Sequence, residues 1–272
     1  MNQILTVASK EFHDGLRNRW LVSITLIFAL LSIGLTYFGA AASGAVGVTS
    51  LSSTVASLAS LAVFLIPLIA LLLSYDSFVG EQESGTLLLL LTYPLSKSQL
   101  LIGKFVGQGS IIALAILVGF GASALLLYTQ SGDINIISAF SLFIVSAILL
   151  GLSFTAIAYL ISLSVSEKSK AAGFALIIWF LFALAFDFVL LALLVGVEDG
   201  VTQQGLTQLM MLNPTDIFRL VNLSRLDNSN VNGALSVAMN TSLSQIQLIS
   251  ALIAWVVLPL TLAIFIFKKK TL

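Results

Sequence analysis

Apolar residues in this chain fall into six long, nearly unbroken runs rather than alternating or one-faced patterns. They cover about residues 20–41, 56–75, 104–128, 137–163, 171–196 and 247–267. Each matches or exceeds the roughly 20 residues that a helix needs to cross a bilayer. A run that is apolar on every side predicts a helix surrounded by lipid or by other such helices. The fourth and fifth runs have length to spare for tilting or projecting beyond the bilayer. The pattern therefore predicts an all-α integral membrane protein, with residues 1–272 forming a single transmembrane domain of six spans. Composition agrees: 58% of residues are hydrophobic and 9% are charged, against about 25% charged in soluble domains.

The segments between the runs differ in kind. At the N-terminus, "MNQILTVASKEFHDGLRNRW" places Ile4, Leu5, Ala8, Phe12 and Leu16 at helical spacing, with Lys10, Asp14 and Arg17 elsewhere. This predicts a helix lying in the membrane interface, with His13 on it as a polar group. The first apolar run exceeds the roughly 7–15 residues of a secretory signal and reads as a retained span. Residues from about 197 to 246 form a polar segment too long for a mere connector.

Charge placement sets the orientation. With the N-terminus inside, Lys10, Arg17, Arg19, Lys97, Lys104, Lys168, Lys170, Lys268, Lys269 and Lys270 are cytoplasmic, and only Arg219 and Arg225 are outside. This asymmetry predicts that both termini are cytoplasmic.

The cytoplasmic link "EQESGTLLLLLTYPLSKSQLLIGKFVG", from Glu81, is apolar but too short to span. Gly85 permits a turn, Thr86 to Tyr93 suit about two helical turns, and Pro94 ends them. Ser96 to Gln99, "SKSQ", fits a capping box that starts the next helix. "SVSE", Ser164 to Glu167, repeats that pattern in the second cytoplasmic link. A short leucine helix between two breakers has two physical destinations, the membrane surface or a groove in a partner.

"ESGTLLLLLTYPLSKSQLLIGKFVG" resembles the first cytoplasmic loop of the ABC-2 type transporter permeases, and "SEKSKAAGFALIIWF" resembles their second. The six-span layout agrees over the whole chain. "KEFHDGLRNRW", "FALAFDFVLLALL" and "LNPTDIFRLVN" further resemble the NosY-type permeases, the membrane component of nitrous oxide reductase maturation transporters. Leu88 departs from the pattern, since many ABC-2 chains carry an acid there.

The resemblance implies that the leucine helix is a coupling helix docking on a cytoplasmic ABC ATPase of the NosF-like kind. Its matching positions are Glu81, Glu83, Gly85, Thr86, Leu87, Pro94 and Lys97, with a second contact at Ser166, Glu167, Lys168 and Lys170. It also implies a homodimer in a bacterial inner membrane, a periplasmic β-helical partner of the NosD-like kind, and a role in copper-site maturation. ATP and Mg²⁺ would bind the ATPase, with no cofactor on this chain.

The residues support that division of labour. No G-x-x-x-x-G-K-[ST] phosphate loop occurs; "IGKF" lacks both the upstream glycine and the following Ser/Thr. With no cysteine and one histidine, thiol nucleophiles, zinc and haem centres are excluded as expectations. No basic surface points to nucleic acid. Cu(I) prefers thiolate, thioether and imidazole ligands, and the expected spans contain none. Met210, Met211 and Met239 are weak metal candidates in the outer segment, where packing is the stronger reading.

Asp187 is the one ionisable residue inside an expected span, and such a residue marks either function or an intramembrane partner. Packing at a helix seam and lining of a cavity both fit it. Gly103 and Gly107 form a G-x-x-x-G pattern, a weak signal in a chain with 19 glycines. In the outer segment Asn213 can cap a helix, Pro214 suits its first position and Asp216 its first turn. Ile217, Leu220 and Val221 then form an apolar face, to rest on the outer leaflet or on the chain's own spans. Asn213, Asp216, Arg219, Arg225 and Asp227 are candidate contacts for a periplasmic partner. Two alternatives stay open: an ABC-2 exporter of a drug, lipid, glycan or sulfur species, and an ion-driven secondary transporter. The latter needs polar residues clustered at mid-membrane, where Asp187 stands nearly alone.

Overall fold

A computed structural model describes residues 3–17, 19–38, 51–196, 203–223 and 243–270. Every regular element among them is helical. In chain order these are α1 (Gln3–Arg17), α2 (Arg19–Phe38), α3 (Leu51–Ser74), α4 (Val79–Glu83), α5 (Thr86–Thr92), α6 (Lys97–Ser131), α7 (Asn135–Ser164) and α8 (Lys168–Phe180). A π-turn over Leu181–Ala185 then leads into α9 (Phe186–Gly196), followed by α10 (Gln203–Met210), α11 (Pro214–Leu223) and α12 (Gln245–Lys269). Helices satisfy every backbone group within one segment, which hydrocarbon surroundings require.

Among the described residues, α3 continuing into α4, α6, α7, α8 with α9, and α12 are long and apolar enough to cross a membrane. A sixth span results if α1 and α2 count as one broken pair. The described part of the first expected span ends at Phe38.

The hairpin of α6 and α7 is the frame. A capping box starts α6: Ser96 Oγ accepts from Gln99 N–H, and the Gln99 side chain accepts from Ser96 N–H at 2.9 Å. At the other end Gly132, at φ +67°, turns the chain, its N–H bonding to the Tyr128 carbonyl. The core between α3, α6 and α7 is filled by aromatic side chains in edge contact, Phe28 on Phe120 at 4.9 Å and Phe120 on Phe143 at 4.7 Å. Phe28 from α2 reaches that core because Gly119 leaves it room; a Cβ there would lie 2.4 Å from the ring.

The G-x-x-x-G pair is also a close approach. A Cβ on Gly103 would meet Val7 at 2.6 Å, and one on Gly107 would meet Glu11 at 2.6 Å and the Ala8 carbonyl at 2.8 Å. The two glycines thus let α1 lie directly on α6, with Ala8 buried between them and Leu5 left outside.

The second expected capping box is not formed. α7 runs through Ser164, whose hydroxyl donates back to the Leu160 carbonyl at 2.6 Å, and α8 starts only after Glu167. Glu167 makes no side-chain cap. Its place is taken from outside the segment, because Glu83 accepts from Lys168 N–H at 2.7 Å.

Candidate functional site

One end of the bundle gathers both short links. Asp76 to Glu83 continues α3, and Gly85, at φ +73°, reverses the chain into α5. Only glycine takes that conformation without strain. Thr86 Oγ1 donates to the Glu81 carbonyl at 3.3 Å and meets Ser84 Oγ at 2.9 Å, closing the turn. Tyr93 is extended, and α5 ends before Pro94 as the ring requires. The Pro94 carbonyl accepts from Gln3 Nε2 at 2.7 Å, a tie back to α1.

α5 has two faces. Leu87 is buried in a cluster with Phe78, Leu100, Leu101, Tyr159 and Phe267, and Leu90 and Leu91 pack against it. Leu88, Leu89 and Tyr93 point away and are 56%, 64% and 63% exposed. The expectation that Leu87 faces a partner is therefore corrected: its side chain anchors the helix to its own bundle. The outward residues are Leu88, Leu89 and Tyr93. A run of five leucines carries no amphipathic signal, so the choice of face depends on Gly85 fixing the first turn.

Beneath α5 lies a joint of charges. Lys104, 3% exposed, reaches Glu81 at 2.7 Å and Glu11 at 3.0 Å. It thereby links α6 to α4 and α1. Lys10 joins Glu11 and Asp14 on the outside of α1. Lys168 at the start of α8 reaches Asp76 at 2.8 Å while its N–H is held by Glu83, and that carboxylate also suits the helix's positive end.

Further in, Gln108 exchanges hydrogen bonds with Ser77 and accepts from Tyr159 at 3.1 Å, and Ser162 Oγ accepts from Phe78 and Val79 N–H at 3.0 Å each. Lys97 donates to the Lys270 carbonyl at 2.6 Å, an internal tie at a residue expected to touch a partner. An open cleft of about 650 Å³ lies over the joint, lined by Glu11, Asp76, Glu81, Glu83 and Lys168 among others. Ser166, Glu167, Lys168 and Lys170 are exposed beside it.

Of the expected positions, Glu81 turns inward to Lys104, the exposed Glu83 reaches across to the start of α8, and Gly85 and Thr86 shape the turn. Lys104 and Glu11 were not among the expected residues. The signal for them was a lysine at the edge of an apolar run with an acid on the N-terminal helix.

The opposite half of the bundle holds the second polar group. α10 and α11 form a hairpin that shares one apolar cluster with α12, and α11 packs against α3, α7 and α12, with Ile217, Leu220 and Val221 buried. Asn213 starts α11, its Oδ1 accepting from Thr215 N–H at 2.9 Å. The π-turn widens the helix by one residue, so Phe186 N–H bonds to Leu181, and the Phe182 carbonyl accepts instead from Asn213 Nδ2 at 2.9 Å and Thr215 Oγ1 at 3.2 Å. Arg219 Nη1 lies 2.7 Å from Asp187 and 3.1 Å from Asp216.

This corrects two expectations. Asp187 does not stand alone, and Asn213 and Asp216, both fully buried, face their own bundle rather than a partner. Arg219 is occupied by the two carboxylates. Met210 is packed among Leu190, Leu206, Ile217 and Leu252, with Met211 against that cluster. Arg225, Asp227 and Met239 lie outside the described residues. Among the described residues no group of three or more His, Cys, Asp or Glu is placed to hold a metal ion.

Compared with known proteins, residues 5–272 match the family described as ABC-2 family transporter protein. The chain is 52% identical over 274 residues to the "Probable ABC transporter permease protein NosY" of Stutzerimonas stutzeri, covering 99% of each chain. It is 50% identical over 273 residues to the protein of the same name from Pseudomonas aeruginosa, again covering 99% of each.

Proposed function

Since this chain belongs to the ABC-2 transporter family and is a multi-span, NosY-like ABC transporter permease, we propose that it converts ATP hydrolysis on a separate cytoplasmic ATPase into motion of its bundle. The observation that carries this reading is the outward face of α5. Leu88, Leu89 and Tyr93 are exposed at the tip of a helix whose other side is fixed by Leu87. An apolar face of this size, rigidly held and rimmed by charges, suits a groove in a partner protein. Ser166 to Lys170 supply the neighbouring contact.

Force applied to α5 would pass through Glu81 and Lys104 to α6 and α1, and through Glu83 and Asp76 to α8. Both links then move as one body. ATP and Mg²⁺ are held by the ATPase, and hydrolysis is its chemistry.

The likeness to NosY proteins extends the proposal. Two copies of the chain in a bacterial inner membrane, termini inside, would work with a NosF-like ATPase and a NosD-like periplasmic β-helical protein in copper-site maturation of nitrous oxide reductase. The scarcity of thiolate, thioether and imidazole side chains in the long helices favours mechanical action, or transfer of a different solute, over passage of Cu(I) along this subunit.

The test is mass spectrometry of what co-purifies with the tagged full chain from gently solubilised native membranes, beside a Leu89→Asp/Tyr93→Asp variant. An ATPase recovered in equal amount with the wild type and lost with the variant supports the coupling face. A periplasmic β-helical protein in the same complex supports the maturation role. Equal recovery of the ATPase with both forms would overturn the assignment of α5.

A further inference from the structure

The α10–α11 hairpin holds an imbalance of charge that coupling at the other end does not use. Asp187 on α9 and Asp216 on α11 share the same nitrogen of Arg219, and Asp216 is completely buried. Two carboxylates against one guanidinium leave one negative charge over. Among the described residues, the elements packed around α11 bring nothing to balance it. α3 and the π-turn contain no titratable side chain, Tyr159 of α7 is engaged with Gln108 in the polar core at the other end, and Lys268 and Lys269 stand at the far end of α12. Like charges that share a buried site do not both ionise without a large cost.

We propose that Asp216, with Asp187 and Arg219, forms a proton-binding site whose occupancy decides whether the hairpin is latched to α9. With the proton on Asp216 the group is neutral. Arg219 serves Asp187 with both of its carboxylate oxygens, at 2.7 and 2.8 Å, and Asp216 accepts from Asn213 Nδ2 at 3.1 Å. Asn213 in turn pins the hairpin to the Phe182 carbonyl.

When the proton leaves, Arg219 has two full charges to serve. Asp187 is the one that gives way, because its side chain is 37% exposed and has room to turn aside, whereas Asp216 is sealed. Arg219 then belongs to Asp216, and α9 is released from α11. π-turns are concentrated at functional sites in helices, and this one lies between α8 and α9, where a change of angle would act.

Burial raises the Asp216 carboxyl, with the Arg219 charge opposing and Asp187 adding to the rise, to about 7. The folded arrangement therefore binds more protons than the unfolded chain between an ordinary carboxyl value and about 7. The latch is complete on the acid side and is lost as pH rises through about 7.

The chain has no cysteine, so spin labels at Val195→Cys on α9 and Gln208→Cys on α10 are unique. Pulsed-EPR distances between them are read from about pH 5 to 9 in liposomes holding the full chain without any ATPase, the labelled chain being diluted with excess unlabelled chain so that only distances within one copy are seen. A single narrow distance on the acid side that broadens with a midpoint near 7 is expected. Asp216→Asn, a mimic of the protonated form, keeps the narrow distance at every pH. Asp187→Asn removes the latch's own carboxylate together with the surplus charge, so the distance is broad at every pH while the Asp216 carboxylic acid titrates lower by roughly one pH unit or more. Infrared difference spectra of the same samples read the proton directly, as a carboxylic acid band that titrates in wild type and is missing in Asp216→Asn. A distance that ignores pH in wild type, an Asp216→Asn variant that follows wild type, or the absence of that band overturns the proposal. None of these readouts involves an ATPase, so failure of the coupling reading leaves this result standing.

Discussion

Replacing Lys104 by Met tests whether the joint under α5 is a structural necessity. The substitution keeps the apolar stem and removes the charge. Lys104 is 3% exposed, while Glu11 and Glu81 are 14% and 21% exposed. At 2.7 and 3.0 Å, each pair contributes about 5–6 kcal/mol of gross attraction at an effective dielectric of about 20. Desolvation of the ammonium cancels much of that. What the experiment measures is the cost of leaving two partly buried carboxylates facing each other, about 3–5 kcal/mol for a broken buried pair. At about 2–4 °C per kcal/mol in chains approaching this size, the melting midpoint in detergent should fall by on the order of 10 °C. Tryptophan fluorescence reads it. Lys170→Met is the control: its pair with Glu167 is more than half exposed on both sides, so it should melt as wild type does. Adding Glu81→Gln to Lys104→Met should restore part of the loss, because one of the two stranded charges goes with it. A Lys104→Met protein that melts as wild type does would refute the reasoning, as would a double variant worse than the sum of the singles.

The two faces of α5 should separate stability from coupling. Leu87→Ala should cost about 2–5 kcal/mol in thermal unfolding, whereas Leu88→Ala should leave the midpoint unchanged and weaken recovery of the ATPase. Gly107→Leu should lift α1 off α6, since the Ala8 backbone has no room to give; faster proteolysis of the N-terminal segment is the readout, with a cost of about 1–3 kcal/mol. Ser96→Ala removes one half of the capping box and should lower stability by about 0.5–2 kcal/mol. Glu83→Gln keeps an acceptor for Lys168 N–H but loses the charge at the start of α8, so a smaller loss than Glu83→Ala is expected in the same melt.

Elements set by short-range chemistry were legible in the sequence. The Ser96–Gln99 cap, the turn at Gly85, the stop before Pro94 and the Asn213–Pro214 start of α11 each depend on neighbours within four residues, and each is found. What failed depended on distant groups. "SVSE" reads as a capping box, yet α7 keeps Ser164 and Glu83 supplies the cap from 85 residues away. Asn213, Asp216 and Arg219 look like an exposed polar patch when read along the chain. Their burial follows from the apolar face of α11 choosing α3, α7 and α12 over the outer leaflet, which carries the polar face inward with it. Gly103 and Gly107 gave too weak a signal among many glycines, and only the position of α1 shows what they admit.

The placement of these polar groups bears on how motion could cross the bundle. The helices between the two ends are held largely by apolar packing, which is dense and transmits displacement without specifying its direction. Direction has to come from the few bonds that tie one element to another. On the proposed reading α8 is tied at its start to the coupling segment through Glu83 and Asp76, and α9, beyond the π-turn, is tied to the hairpin through Asp187 and Arg219. A push at α5 that shifts α8 along its axis can be taken up at the π-turn as bending, or passed on to the hairpin. Which of these happens depends on whether Asp187 still holds Arg219. With that bond intact α9 cannot swing without carrying α11, and with it broken α9 swings alone. The same helix can therefore be connected to or disconnected from the outer segment by one ion pair, with the coupling joint unchanged.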